Sequence, residues 1–252
     1  MTKLKAYAKV NLILKVFPKQ KYESKHKIIS LFCLYKPLYD EICVEESKKT
    51  NIVYKQNNRS LNLDKTKMFF AVKYLSELLK KEIHLNIKIQ KNIPLMSGLG
   101  GSATNVAAVM NWIAKKYQLK FTNKHLQFIA LNIGSDIPFF LSGCTKAWVS
   151  DFGNKVVKTN IKTPKFTVIL TNIPIDTAKA YEKMNLHYHS KVSISNAYKA
   201  LNTIPFCKQA IYNDMWLYAN KMNPQLNALS LKLLKTKNII LSGSGGSFIE
   251  IK

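Results

Sequence analysis

The sequence Pro94-Leu-Met-Ser-Gly-Leu-Gly-Gly-Ser-Ala-Thr-Asn-Val-Ala-Ala108 has three glycines within four residues, followed by a run of small residues. Before it, apolar and polar residues alternate over 83–90, which predicts a strand that ends where Pro94 stops the ladder. After the glycines, apolar residues recur at helical spacing, which predicts a helix to about Tyr117. A strand, a glycine loop and a helix start together direct free backbone N–H groups at an anion.

The loop belongs to neither of two common nucleotide-binding patterns. No Gly-Lys-Ser/Thr follows, so it is not a Walker A loop, and the Gly-x-Gly-x-x-Gly spacing of a Rossmann fingerprint is absent. Gly98, Gly100 and Gly101 let the backbone wrap closely around a phosphate. Ser102 and Thr104 add hydroxyls at the predicted helix start, where they would cap the helix or contact a phosphate or its metal. An ordinary capped turn is the alternative interpretation.

The first strand is predicted from residues 4–16, whose even positions are all apolar. Lys9 and Asn11 then project from the other face, about 7 Å apart along the strand. In a lysine-rich chain this face has a plainer interpretation as a solvated surface.

Two later segments complete the set of motifs. Asp136 is the single charge in the apolar stretch 131–141, and it is expected at the start of a helix that carries Pro138 in its first turn. It is either a helix cap or an ionised carboxylate that accepts a proton beside a lysine. Glycines 243, 245 and 246 separate two short strand-like runs, where they would let this loop approach the first loop or a ligand.

Composition excludes some classes of protein. The 252 residues carry a net charge of +25, but Arg59 is the one arginine among 39 basic residues, and the lysines form no block, so a nucleic-acid partner is not expected. The positive field should still attract anionic small molecules. The sequence contains no run of about 18 apolar residues, so a membrane span is not expected. Four scattered cysteines form no metal or disulfide pattern, which favours a reducing cytoplasm.

Together these motifs resemble the GHMP kinase superfamily. The glycine loop is similar to its Pro-x-x-x-Gly-Leu-Gly-Ser-Ser signature, with Gly101 where the first serine often stands. Ala8-Lys-Val-Asn-Leu12, Gly134-Ser-Asp-Ile-Pro-Phe-Phe140 and Ser242-Gly-Ser-Gly-Gly-Ser247 are most similar to one branch. That branch phosphorylates a cytidine diphosphate alcohol in non-mevalonate isoprenoid precursor synthesis.

The resemblance implies an α+β, two-domain GHMP kinase fold. A ribosomal protein S5 domain 2-like ATP-binding domain is expected over 1–153 and a ferredoxin-like domain over 165–252, with 154–164 as the connection. The second domain looks truncated relative to the family. Helices are predicted over 69–81, 213–222 and 224–235.

The resemblance also implies residue roles. Asp136 would be the base toward the substrate hydroxyl, Lys9 would orient it and offset phosphoryl charge, and Asn11 would hold the substrate. His26 would contact the cytosine and Tyr181 would stack on it. The residues implied in cradling the ATP phosphates are Pro94, Leu95, Met96, Ser97, Gly98, Leu99, Gly100, Gly101, Ser102, Ala103 and Thr104. Gly243, Gly245 and Gly246 would form a supporting loop. Mg²⁺ is expected with ATP, with no protein ligand assigned beyond Ser102, Thr104 or water.

One departure keeps alternatives open. The family has an aromatic residue before the cytosine-contacting histidine, and this chain has Lys25. Cytidine recognition would then depend more on Tyr181, or the substrate preference differs. The alternatives are a GHMP kinase of homoserine or mevalonate type and a catalytically idle, nucleic-acid-binding relative. A monomer and a homodimer are both compatible with the sequence.

Overall fold

The computed structural model describes residues 1–57, 59–185 and 211–252. Within these residues an eight-stranded sheet and a three-stranded antiparallel sheet are each covered by helices. The predicted α+β organisation is therefore confirmed.

The first sheet is built on two long strands. Its members in chain order are β1 (Thr2–Val16), β2 (Ile28–Glu46), β3 (Asn51–Gln56), β4 (Arg59–Leu61), β5 (Leu85–Gln90), β6 (Lys146–Asp151), β7 (Lys155–Lys158) and β9 (Tyr212–Asn213). β1 and β2 pair antiparallel along their length, with irregularities at Tyr7/Ala8 and Asn11/Ile13. The opposite edge of β2 pairs with β6 in its first part and with β5 in its last. The two irregularities bracket Lys9 and Asn11, which is where bulges commonly redirect side chains.

Helices cover the first sheet and begin close to the predicted positions. They are α1 (Thr66–Leu79), α2 (Gly101–Lys116), α3 (Asn123–Asn132) and α4 (Ile137–Leu141). Apolar side chains of α1 and α2, such as Leu75 and Met110, pack on Ile42 and Ile87 of the sheet. α1 starts three residues before the predicted 69–81 segment. In the described part of the chain, none of the helices combines the length and apolar character needed to traverse a bilayer.

The second sheet has the order β10-β11-β8, from β8 (Phe166–Leu170), β10 (Ile239–Leu241) and β11 (Ser247–Ile251). Its helices are α5 (Thr177–Asn185), α6 (Trp216–Met222) and α7 (Pro224–Leu234). The side chain of Asn223 caps α7 by accepting a hydrogen bond from the Leu226 N–H at 3.1 Å. This is the predicted cap, with Pro224 in the first turn.

Side chains of strand β1 also pack against the second sheet. Leu12 belongs to the same buried cluster as Ile249 and Ile251 of β11, and Leu14 packs with Phe248. Both faces of the middle of β1 are buried for this reason.

The predicted connection 154–164 needs a correction, because it contains β7, which pairs with β6 and extends the first sheet. Three of the four β7 residues are exposed, so this edge strand lacks the alternation that reveals strands in a sequence. β9, from the predicted second domain, pairs parallel with β1 in the first sheet. The two predicted domains therefore exchange backbone hydrogen bonds.

Candidate active site

The glycine loop connects β5 to α2, as predicted from the sequence. β5 ends at Gln90 and α2 begins at Gly101. Gly98 and Gly100 have φ angles of 75° and 74°, a region that residues with a Cβ rarely adopt. Gly100 is the N-cap of α2, and no side chain caps the helix. The N–H groups of the first turn therefore remain free to bind an anion.

The second glycine loop, 242–246, lies directly against the first. A Cβ on Gly98 would be 2.2 Å from the Ser242 carbonyl oxygen and 2.7 Å from that of Gly245. A Cβ on Gly243 would be 2.8 Å from the Gly98 carbonyl oxygen. The approach of the two loops that the sequence suggested is thus observed as direct backbone contact, and it requires glycine on both sides.

Gly98→Ala is expected to lower both the stability of the protein and its affinity for ATP. The positive φ alone costs alanine about 1–2 kcal/mol, and the overlap with Ser242 must also push the loops apart. Gly143→Ala is the matched control, since Gly143 has a φ of 68° but no heavy atom of the described residues within 4 Å of a Cβ. Thermal unfolding and the KM for ATP should change more in Gly98→Ala than in Gly143→Ala. Equal effects in the two variants would contradict the tight loop contact.

The Lys9 ammonium is buried where the two glycine loops meet. The Lys9 Nζ donates to Asn11 Oδ1 at 2.6 Å and lies 3.2 Å from Asp136 Oδ2. It also lies 4.7 Å from the centroid of the Phe32 ring. Lys9 is 3% exposed and Asn11 2% exposed. The interpretation of this strand face as a solvated surface is therefore wrong, because the two glycine loops cover it: a Cβ on Gly243 would lie 3.4 Å from Lys9 Nζ.

Asp136 occupies the N-cap position of α4, but its side chain makes no capping hydrogen bond. The prediction of a helix cap is wrong in this respect, because the carboxylate faces Lys9 instead. Its side chain is 29% exposed, so one oxygen can meet a substrate. The preceding residue is held by the β6–β7 turn, where a Cβ on Gly153 would be 2.0 Å from the Ser135 carbonyl oxygen.

His26 and Tyr181 form the other end of the site. Their ring centroids are 5.5 Å apart and the rings are tilted by 34°. The His26 Nδ1 is 2.7 Å from the Phe17 carbonyl oxygen, which can only accept, so the proton resides on Nδ1. In the neutral ring Nε2 is then an acceptor, and it is buried with no hydrogen-bond partner among the residues that the structure describes. Burial raises the pKa of Tyr181, and the nearby Asp136 carboxylate adds to this, so the hydroxyl stays neutral.

The Lys9, Asn11, Asp136, His26 and Tyr181 side chains line one cavity of about 1010 Å³ together with residues of both glycine loops. Of the predicted phosphate-binding residues, 94–103 line it, whereas Thr104 is buried in the first turn of α2 and does not. Gly243 lines it, whereas Gly245 and Gly246 do not and instead pack against Ile175 and Ser97. The structure thus brings Lys9 and Asn11 of β1 to one cleft with His26, Asp136 and Tyr181, which come from three other segments.

Sequence reasoning missed a buried carboxylate beneath the glycine loop. Asp40 Oδ1 accepts from the backbone N–H groups of Asn92 at 2.6 Å and Ile93 at 2.8 Å. Its Oδ2 accepts from Asn105 Nδ2 at 2.8 Å and from the Lys91 ammonium. Burial lowers the pKa of Lys91, and the Asp40 charge opposes that shift. One carboxylate therefore fixes both ends of the loop. The sequence feature that could have drawn attention to Asp40 is the scarcity of acidic residues in this chain.

Asn213 is a second residue that the sequence did not reveal. Its side-chain amide donates to the carbonyl oxygens of Leu241 at 2.8 Å and Gly243 at 2.7 Å. It thus anchors the second glycine loop to β9 and the first sheet. Among the residues that the structure describes, no group of three or more His, Cys, Asp or Glu could hold a metal ion.

Known proteins match this chain in sequence and in fold. The GHMP kinases N-terminal domain family matches residues 66–144, which include the glycine loop and Asp136. 4-diphosphocytidyl-2-C-methyl-D-erythritol kinase of Petrotoga mobilis is 33% identical, over 98% of this chain and 98% of the relative. The same kinase of Ureaplasma parvum is 30% identical, over 99% of this chain and 95% of the relative.

Solved structures agree at the level of fold. A crystal structure of 4-(cytidine 5'-diphospho)-2C-methyl-D-erythritol kinase superposes with a TM-score of 0.70 at 21% identity, covering 99% of this chain and 90% of the other. Streptococcus pneumoniae phosphomevalonate kinase superposes with a TM-score of 0.69 at 13% identity, covering 100% of this chain and 92% of the other.

The fold, the uncapped helix behind the glycine loop and the Lys9–Asp136 pair define a GHMP kinase, an ATP-dependent kinase of small molecules. Within that class, the chain belongs to the 4-diphosphocytidyl-2-C-methyl-D-erythritol kinase family.

Proposed function

We propose that this protein transfers the γ-phosphoryl group of ATP to the 2-hydroxyl of 4-diphosphocytidyl-2-C-methyl-D-erythritol, a step in non-mevalonate isoprenoid precursor biosynthesis. The observation that carries the proposal is the Lys9–Asp136 ion pair, at 3.2 Å, in the cavity that also holds the glycine loop and the His26–Tyr181 pair. The cavity thus offers His26 and Tyr181 to the base of such a substrate, and Asp136 to its reacting hydroxyl. The relatives at 30% and 33% identity carry the same activity in their names. As part of this proposal, we assign the reaction to the cytoplasm, where ATP is available.

Phosphoryl transfer requires alignment and charge stabilisation more than covalent chemistry by the protein. Asp136 accepts the proton of the acceptor hydroxyl while that oxygen bonds to the γ-phosphorus. The bond from the γ-phosphorus to the bridging oxygen breaks, and ADP leaves. The Lys9 ammonium keeps Asp136 oriented and offsets charge on the transferring group, and Asn11 fixes the ammonium at 2.6 Å. The free N–H groups of α2 bind the ATP phosphates.

We expect Mg²⁺ to accompany ATP. Mg²⁺ keeps several waters and binds through substrate phosphates and one or two protein oxygens, so the described residues fit it without a cluster of carboxylates. Ser102, exposed in the first turn of α2, offers a hydroxyl oxygen to such an ion in the cavity. Bound there, the ion would neutralise phosphate charge.

The His26–Tyr181 pair suits a cytosine base. The His26 Nε2, which has no partner in the described part of the chain, can accept a hydrogen bond in the neutral ring, and cytosine presents an amino donor where uracil presents a carbonyl acceptor. The Tyr181 ring beside it offers a stacking surface. This complementarity supports a cytidine nucleotide rather than a uridine nucleotide as acceptor.

Tyr181→Ala is expected to raise the KM for the cytidine alcohol while leaving the KM for ATP nearly unchanged. Stacking on an aromatic side chain contributes roughly 1–3 kcal/mol, which corresponds to about 5- to 150-fold in KM. Steady-state kinetics with each substrate varied in turn provides the measurement. Tyr218→Ala serves as a control, because Tyr218 packs in the second domain away from the cavity. An unchanged KM for the alcohol would mean that the base binds elsewhere.

Phosphorylation assays of the purified protein with ATP and a panel of alcohols test the proposed function. The panel contains 4-diphosphocytidyl-2-C-methyl-D-erythritol, homoserine, mevalonate and phosphomevalonate. Turnover of the cytidyl substrate alone is the expected result. Turnover of one of the other alcohols and not the cytidyl compound would assign the protein to a different GHMP kinase activity. ATP-independent, strongly salt-dependent nucleic-acid binding without any turnover would support an idle relative.

A further inference from the structure

Lys25 lines the cavity described above. It directly precedes His26, and its Nζ donates to the Ala130 carbonyl oxygen at 2.7 Å and lies 3.5 Å from Ser135 Oγ. Ser135 is the residue before Asp136. The Lys25 side chain therefore runs from the base-binding end of the cleft toward the reacting end, and it is half-buried along the cavity wall.

The described residues satisfy the Lys25 ammonium only in part. A lysine ammonium has three N–H donors, and the Ala130 carbonyl takes one at good distance. Burial and the neighbouring Lys67 lower the pKa of Lys25, while the Asp136 carboxylate opposes them. Lys67, whose charge acts on Lys25, lines the same cavity, as does Lys19. An anion bound here would be attracted from several directions.

The covalent structure of the acceptor indicates which anionic group would bind near Lys25. In a cytidine diphosphate alcohol, the diphosphate links the cytidine to the alcohol that carries the reacting hydroxyl. With the base at His26 and the hydroxyl at Asp136, the diphosphate must lie between them. That interval is the one that Lys25 spans.

We propose that Lys25 is a specificity-determining residue that binds the diphosphate of the cytidine nucleotide acceptor, in place of an aromatic side chain that would stack on the base. This inference rests on the proposed function. The contact would be a charge-assisted hydrogen bond from the ammonium to a phosphate oxygen.

Direct binding separates phosphate recognition from base recognition. The probes are CDP, cytidine and ADP, measured by titration calorimetry on the wild-type chain and three variants. Lys25→Met removes the charge, Lys25→Arg keeps it, and Lys21→Met removes a charge from the same segment at an exposed position outside the cavity. Lys21→Met therefore controls for the change in net charge.

We expect Lys25→Met to weaken CDP at least ~10-fold, as for loss of a charged hydrogen bond, with cytidine and ADP unchanged. Lys25→Arg should retain most of the preference of the wild type for CDP over cytidine, and Lys21→Met all of it. If Lys25→Met binds CDP as tightly as the wild type does, the inference is wrong while the proposed function stands. If ADP weakens and CDP does not, Lys25 serves ATP and the inference is also wrong. If the wild type binds no CDP, the proposed function itself fails.

A folding defect would not obscure the result. Loss of the Ala130 contact in a purely structural role would weaken all three probes together or lower the unfolding temperature of both Lys25 variants. Selective loss of CDP affinity in Lys25→Met with rescue in Lys25→Arg is the signature of a phosphate contact.

Discussion

Asp136→Asn is expected to reduce turnover at least ~100-fold while leaving the affinity for ATP nearly unchanged, because general-base assistance contributes about that much to a rate. An asparagine has almost the same shape but cannot take the proton of the acceptor hydroxyl. The side chain makes no capping hydrogen bond to α4, so the substitution removes little from the fold. It does remove the 3.2 Å ion pair to Lys9, and the Lys9 ammonium keeps its contact with Asn11.

The control for Asp136→Asn is Asp64→Asn. Asp64 also stands at the start of a helix, where it accepts from the Thr66 N–H at 2.8 Å, but it is exposed and lies outside the cavity. Its replacement should leave turnover unchanged. Single-turnover kinetics and ATP binding by titration measure the two properties separately. Turnover within a few-fold of the wild type in Asp136→Asn would remove Asp136 from the role of base.

Lys9→Met is expected to reduce kcat by about 10²- to 10³-fold, the usual effect of losing one preorganised donor to a transition state. Lys9 is 3% exposed, so the charge acts where little water screens it. Methionine fills a similar volume beside Phe32 and needs no partner. Asp136 is left without its cation, but at 29% exposure water can solvate it. The buried Asn11 Oδ1 loses its donor, however, which is expected to lower the stability by about 1–3 kcal/mol.

Lys5→Met is the control for Lys9→Met on the same strand. Lys5 is exposed and lies 4.5 Å from the Tyr39 ring centroid, away from the cleft. We expect it to retain wild-type kcat and KM. Rates are measured with both substrates saturating, and thermal unfolding is followed for all proteins. A Lys9→Met variant that unfolds at the wild-type temperature with undiminished kcat would refute the assigned role of Lys9.

The elements that carry a strong periodic pattern could be predicted from the sequence. The alternation over 4–16 predicted β1, and the glycines after 83–90 predicted the loop and the start of α2. Asn223-Pro224 predicted the start of α7. These patterns reflect local chemistry: side-chain alternation, glycine conformation and helix capping. The meeting of Lys9 and Asp136 depended on a family resemblance, because no local rule connects residues so far apart in sequence.

What could not be predicted depends on contacts between distant segments. The burial of Lys9 and Asn11 is due to residues 242–246, far along the chain. Asp40 shows no periodic feature that distinguishes it, and its importance arises from bonds to residues 91–93 and 105. β7 is an exposed edge strand identified by its pairing with β6 rather than by its own pattern.

The contact between the two glycine loops ties the chemistry to segments that lie far apart in the sequence. Lys9 belongs to the first strand of the large sheet, and the 242–246 loop that covers it comes from the second sheet. Local opening of that loop would expose the amine to water and remove one wall of the cleft. Phosphoryl transfer therefore requires both segments to be folded at the same time.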